Sequence, residues 1–240
     1  MIATECQTRA MPEPDAELMR SLGRLVRGLS ALFWGLPLAF LVCFYTAKAD
    51  MFKSFGIVPP LVFTGLLVYG LWQVGDFQKQ ERVWQTALDR ARVFALINFF
   101  LSPFLYWWNR MPGQPLFVTM VVLMGVSALF FLGSLNVVLQ RLGAMLPDEA
   151  LRLETRQFTS INLRLLFGIL AFAVICLAAD RLLAFRFPHL PFWLLVTAAT
   201  LDRAGPWLVV MPVLLPLAMT MALLWKTKEV ILDNVFGPKQ

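Results

Sequence analysis

Residues 116–139 read LFVTMVVLMGVSALFFLGSLNVVL, 24 positions without one charged side chain. A hydrocarbon core of about 30 Å is crossed by roughly 20 apolar residues wound as an α-helix. Lipid offers no hydrogen bond to a bare backbone, so a stretch of this kind satisfies its amides internally. A transmembrane strand would be shorter and would alternate polar with apolar residues. The stretch does neither, and it reads as a membrane-spanning helix.

Five further apolar stretches stand outward from it, at 30–47, 57–74, 93–109, 165–183 and 204–225. The 240-residue chain is 59% hydrophobic and 15% charged, where a soluble domain carries about 25% charged residues. The expected fold class is therefore all-α: a polytopic helical membrane protein with six transmembrane helices plus an N-terminal interfacial amphipathic helix. The expected organisation is a cytoplasmic tail (1–14), the interfacial helix (15–29), a six-helix transmembrane domain (30–226) and a second cytoplasmic tail (227–240). An apolar piece at 188–201, with Pro188 and Pro191 near its start, is too short to span and is expected to be interfacial or re-entrant on the outer face. Thr46-Ala47-Lys48-Ala49 resembles a small-residue cleavage site, but the leader before 30–47 is long for a signal peptide. That segment is read as a retained span.

Basic residues set the orientation, because cytoplasmic loops collect Lys and Arg. Of the 21, fifteen fall in the N-terminal tail, the second and fourth loops and the C-terminal tail. Six fall in the odd loops. An even number of spans with both termini cytoplasmic, integral to the cytoplasmic (inner) membrane, fits this split. Amphipathic rings agree: Trp34, Trp72 and Trp225 mark one interface, and Tyr45, Tyr106, Trp107, Trp108 and Trp207 the other. The net charge of +6 then has a membrane explanation. Nucleic acid is not an expected partner, since the charge is spread over four segments rather than gathered in one patch.

Two basic rows stand out. Leu18, Leu22, Leu25, Val26 and Leu29 recur at helical spacing, with Arg20, Arg24 and Arg27 off that stripe, an arrangement suited to the headgroup plane. In the fourth loop Asp148 and Glu149, after Pro147, sit in a first helical turn, where negative charge suits the dipole. Arg152, Arg156, Ser160 and Arg164 follow at intervals of four, with Asp148–Arg152 an i,i+4 pair. Leu151, Phe158 and Ile161 are expected to form the apolar face of that helix. Arg20, Arg24, Arg27, Arg152, Arg156 and Arg164 are the candidate contacts to lipid headgroups or to a cytoplasmic or membrane protein partner. In the second loop Phe77, Trp84, Leu88 and Ala91 repeat near helical period, either extending the neighbouring spans or lying across their ends.

Chemistry is harder to find. The centres of all six stretches lack Asp, Glu, Lys, Arg and His, whereas intramembrane proton relays and enzymes place ionisable groups at depth. Asp180 and Arg181 read as interfacial. The one histidine, His189, has no second ligand for a zinc or haem pair, and no G-x-S-x-G elbow or Walker-type glycine loop exists. Cys6, Cys43 and Cys176 form no metal-ligand spacing. No catalytic residue, metal site or cofactor is expected. Asn98 and Ser102, then Ser127, Ser134 and Asn136, are read as helix-packing groups. Pro212 and Pro216 each remove a backbone donor from the last span and are expected to bend it.

The expected role is a non-enzymatic membrane subunit or scaffold. The layout also resembles the permease subunits of certain ABC exporters: an interfacial N-terminal helix, six spans, cytoplasmic termini and a partly inserted outer element before the last span. That likeness implies transport energised by a separate ATPase, bound at 76–92 and at the fourth loop.

Overall fold

The computed structural model describes residues 14–48, 55–77, 81–145, 149–186 and 192–236. Every regular element among them is helical: α1 (Pro14–Lys48), α2 (Val58–Gly75), α3 (Arg82–Leu101), α4 (Pro103–Arg110), α5 (Pro115–Met145), α6 (Glu149–Arg186) and α7 (Phe192–Phe236). Among the described residues, four segments are long and apolar enough to cross a membrane: Met19–Lys48, Val58–Gly75, Pro115–Met145 and Arg152–Ile175. These make the chain an all-helical protein suited to a lipid environment.

The N-terminal amphipathic segment and the first apolar stretch form one unbroken helix. Leu25, Leu29, Leu32, Leu36 and Ala39 are buried along a single stripe that crosses the expected boundary at 29–30 without a change of phase. Leu25 and Leu29 thus belong to the protein core rather than to a surface laid on lipid.

Close approach of α1 and α2 is set by two glycines. A Cβ on Gly28 would lie 2.8 Å from the Gly70 carbonyl oxygen, and one on Gly70 would lie 2.9 Å from Leu32 Cγ. Only hydrogen fits at either position. Before α2, Gly56 takes φ +61°, a turn conformation open to a residue without Cβ. Pro59 and Pro60 then occupy the first turn of α2, where a missing N–H costs no helical bond.

The second loop is largely helix. α3 begins at Arg82 and buries Trp84, Leu88, Ala91, Ala95 and Asn98 along one face, so the second-loop stripe extends directly into the third apolar stretch. That stretch is itself divided, because α3 ends at Leu101 and α4 starts at Pro103. Pro103 has no N–H to offer the Phe99 carbonyl, and the Ser102 hydroxyl donates to it instead at 2.9 Å. Residues 93–109 are accordingly two helical pieces and are not among the four long apolar segments.

α6 runs through both the fourth loop and the fifth apolar stretch. Its 38 residues extend about 57 Å at 1.5 Å per residue, beyond the thickness of a hydrocarbon core. α7 is helical from Phe192 and contains Pro206, Pro212 and Pro216, so 192–201 is continuous with the helix through 204–225. Residues 188–191 lie outside the described residues, as does Asp148 of the expected Asp148–Arg152 pair.

The main core gathers Leu25, Leu29, Leu71, Trp84, Leu88, Leu139, Leu142, Leu224 and Ile231, where the N-terminal part of α1 meets the start of α3 and the ends of α2, α5 and α7. Elsewhere large apolar side chains face outward, including Phe100, Leu123, Phe167, Ile175 and Met211. An apolar exterior of this extent is a lipid-facing surface. Cations lie over rings near both ends of the helices: Arg92 on Trp72 and Lys228 on Trp225 at one end, Lys48 on Trp108 and Arg110 on Tyr106 at the other.

Candidate functional site

The six arginines expected at headgroups or partners are all exposed. Arg24 is engaged, its Nη1 standing 2.8 Å from Asp76 Oδ2 just past the end of α2. Arg20 and Arg27 flank it on α1. Arg152, Arg156 and Arg164 line the outer side of α6. The two rows are not brought together: α1 packs chiefly on α2, α7 and α4, and α6 on α5 and α7.

The inner face of α6 differs from the sequence expectation. Phe158 and Ile161 point outward, 39% and 49% exposed, while Thr155, Thr159, Asn162 and Leu166 are buried. Helices in lipid gain little by turning hydrocarbon inward, whereas a polar group in hydrocarbon needs a partner. Small polar side chains therefore take the packed face, and apolar ones meet the lipid.

These side chains tie α5, α6 and α7 into a knot centred on Thr220. Asn136 Nδ2 donates to Thr220 Oγ1 at 2.9 Å and to the Leu132 carbonyl at 2.8 Å. Asn162 Nδ2 donates to the same Oγ1 at 3.0 Å and to the Pro216 carbonyl at 3.2 Å. Thr220 passes its own proton to the Pro216 carbonyl at 2.7 Å. A hydroxyl has one donor and two acceptor sites, so Thr220 Oγ1 is saturated. Thr159 adds a bond to the Asn136 backbone carbonyl at 3.4 Å. Asn136 Oδ1 and Asn162 Oδ1 remain without a donor, two buried acceptors that a polar hydrogen could still satisfy. Beyond the knot, Lys226 of α7 pairs with Glu154 of α6.

One to two turns from the knot lies a chamber of about 500 Å³ between α1, α2, α3, α5, α6 and α7. Leu36, Phe40, Leu67, Phe131, Leu132 and Leu217 are representative of its walls, and among the described residues no acidic or basic side chain lines it. Its polar points are Thr64 and Asn98. The Thr64 hydroxyl donates to the Pro60 carbonyl at 2.7 Å and stands 3.4 Å from Ser102 Oγ. Asn98 Oδ1 is buried and unpartnered. The volume lies within the range of about 300–1,000 Å³ typical of small-ligand sites, and the lining suits an apolar molecule carrying at most a hydroxyl or amide. Among the described residues, no group of three His, Cys, Asp or Glu could hold a metal ion.

Sequence reasoning found Asn98, Ser102 and Asn136 but passed over Asn162 and Thr220. The available signal was the recurrence of Thr155, Thr159 and Asn162 at i, i+4 and i+7, a polar stripe on a helix leading into apolar sequence. No protein-family model matches the chain, and neither does any curated protein or solved structure.

Proposed function

We propose that this chain is a non-enzymatic integral membrane subunit or scaffold with six spans, integral to the cytoplasmic membrane, with both termini in the cytoplasm. The observation that carries the reading is the use of its interior polar groups. Asn136, Asn162, Thr159 and Thr220 are neutral, and their bonds run to neighbouring helices or to helix carbonyls. Such groups hold a bundle together and offer no acid or base for chemistry in the bilayer. The α3–α4 pair serves as the third span and α7 as the last, with the cation-bearing rings near each end at the two interfaces. The arginines on α1 and α6 contact anionic headgroups or a partner's acidic surface, and nucleic acid is not a partner.

A second reading is favoured by the chamber. An apolar cavity between the helices, half-open to the outside at Val122 and Val174, would also suit a permease subunit that handles a lipid-like cargo and takes energy from a separate ATPase. Mild-detergent purification followed by mass spectrometry separates the two. The scaffold reading expects no nucleotide-hydrolysing protein at stoichiometric level. A stoichiometric ATPase would replace it with the permease reading.

A further inference from the structure

A second groove of about 500 Å³ runs down the outside of the bundle between α3, α5 and α6. Its lower part is apolar, with Phe94 stacked on Phe130 at 5.5 Å and Gly133, Phe167 and Leu170 alongside. Its upper part carries two basic side chains among Val83, Ala87 and Val137. Arg90 lies one helical turn above Phe94 on α3, and Arg141 lies three turns beyond Phe130 on α5, near the mouth.

Arg90 and Arg141 are both exposed, and neither is paired with an acid among the described residues. Among the described residues no acidic side chain lines the groove. About two helical turns, roughly 10 Å, separate the two arginines along the groove, within the joint reach of two long side chains converging on one anion. A guanidinium also matches a phosphate in a bidentate fashion. We infer that this groove is a binding site for one anionic phospholipid, its phosphate held between Arg90 and Arg141 and an acyl chain lying over Phe94, Phe130 and Gly133. The occupant is a bilayer lipid because the groove that holds both arginines is continuous with an apolar wall of Phe94, Phe130, Phe167 and Leu170, which a free anion would not require. Basic pockets between membrane helices take headgroups in this way. The site does not depend on which way round the chain is inserted, nor on whether it acts as scaffold or permease.

The test uses the full chain purified in uncharged detergent, titrated with phosphatidylglycerol or phosphatidylcholine of identical chains and read by native mass spectrometry. One phosphatidylglycerol should bind about thirtyfold more tightly than phosphatidylcholine, about fivefold for each arginine. Arg90→Gln with Arg141→Gln should abolish the preference, and the double lysine variant should retain most of it. Val137→Trp fills the groove without touching its charge and should weaken both lipids. Arg110→Gln, at the opposite end of the helices from the arginine pair and outside the groove, should change nothing. Circular dichroism and gel filtration establish folding; should the double glutamine variant fail to fold, each single variant should lose about fivefold. Equal binding of the two lipids, or an unchanged preference in the double glutamine variant, would overturn the proposal. So would displacement of the lipid by inorganic phosphate at equal concentration.

Discussion

Asn162 of α6 and Thr220 of α7 are joined by a 3.0 Å hydrogen bond between two side chains with no solvent exposure, and Asn136 of α5 closes on the same oxygen at 2.9 Å. One hydroxyl therefore holds three helices in register. Thr220→Val keeps the shape and removes the oxygen, leaving both amides short of an acceptor. At about 0.6 kcal/mol per interhelical bond, the two bonds lost amount to about 1 kcal/mol. Thermal denaturation in detergent should show Thr220→Val clearly less stable and Thr220→Ser close to the parent. Equal stability of all three would remove the knot from the account.

The α1–α2 contact makes a sharper steric prediction. Gly28→Ala drives a methyl into the Gly70 carbonyl and should cost about 1–3 kcal/mol, as overpacking does. Gly23→Ala, five residues back on the same helix, meets nothing within 4 Å and should stabilise by up to about 1 kcal/mol. Opposite signs in a denaturation series are the expected outcome.

At the α3–α4 junction the Ser102 hydroxyl replaces the donor that Pro103 lacks. Ser102→Ala should therefore destabilise by about 1 kcal/mol. Pro103→Ala restores a backbone N–H, so adding it should recover most of that loss. Additive losses in the double variant would show that the hydroxyl has another role.

The Arg24–Asp76 pair is about half and one-third exposed, so its contribution is small. Asp76→Asn should cost about 0.2–1 kcal/mol at low salt and less at 1 M salt, where the screening length is about 3 Å. A large, salt-independent loss would instead point to a structural role for Asp76.

Much of the fold was legible because lipid imposes hard constraints on composition. The charge-free run at 116–139 lies within α5, and the spacing of Trp84, Leu88 and Ala91 is the buried face of α3. What stayed hidden has a common physical origin. In water the apolar stripe of a helix identifies its packed face, and that logic correctly assigned Leu25 and Leu29 to one face. In lipid it inverts, so Phe158 and Ile161 look outward while Thr155, Thr159 and Asn162 look inward. Helix ends were also blurred. Nothing in the sequence between Gly28 and Ser30 interrupts helical hydrogen bonding, so α1 is continuous where a change in polarity implied a boundary. The chamber was unreadable, since no single stretch of sequence contributes more than one wall.

The proposed threading puts the α4–α5 turn outside the membrane and the start of α3 inside. In a background lacking Cys6, Cys43 and Cys176, Gly113→Cys and Glu81→Cys each place one thiol at an exposed position. Labelling of intact cells with a membrane-impermeant thiol reagent should modify the cysteine at 113 at once, and the one at 81 only after permeabilisation. The reverse pattern, or equal labelling of both in intact cells, would contradict the account.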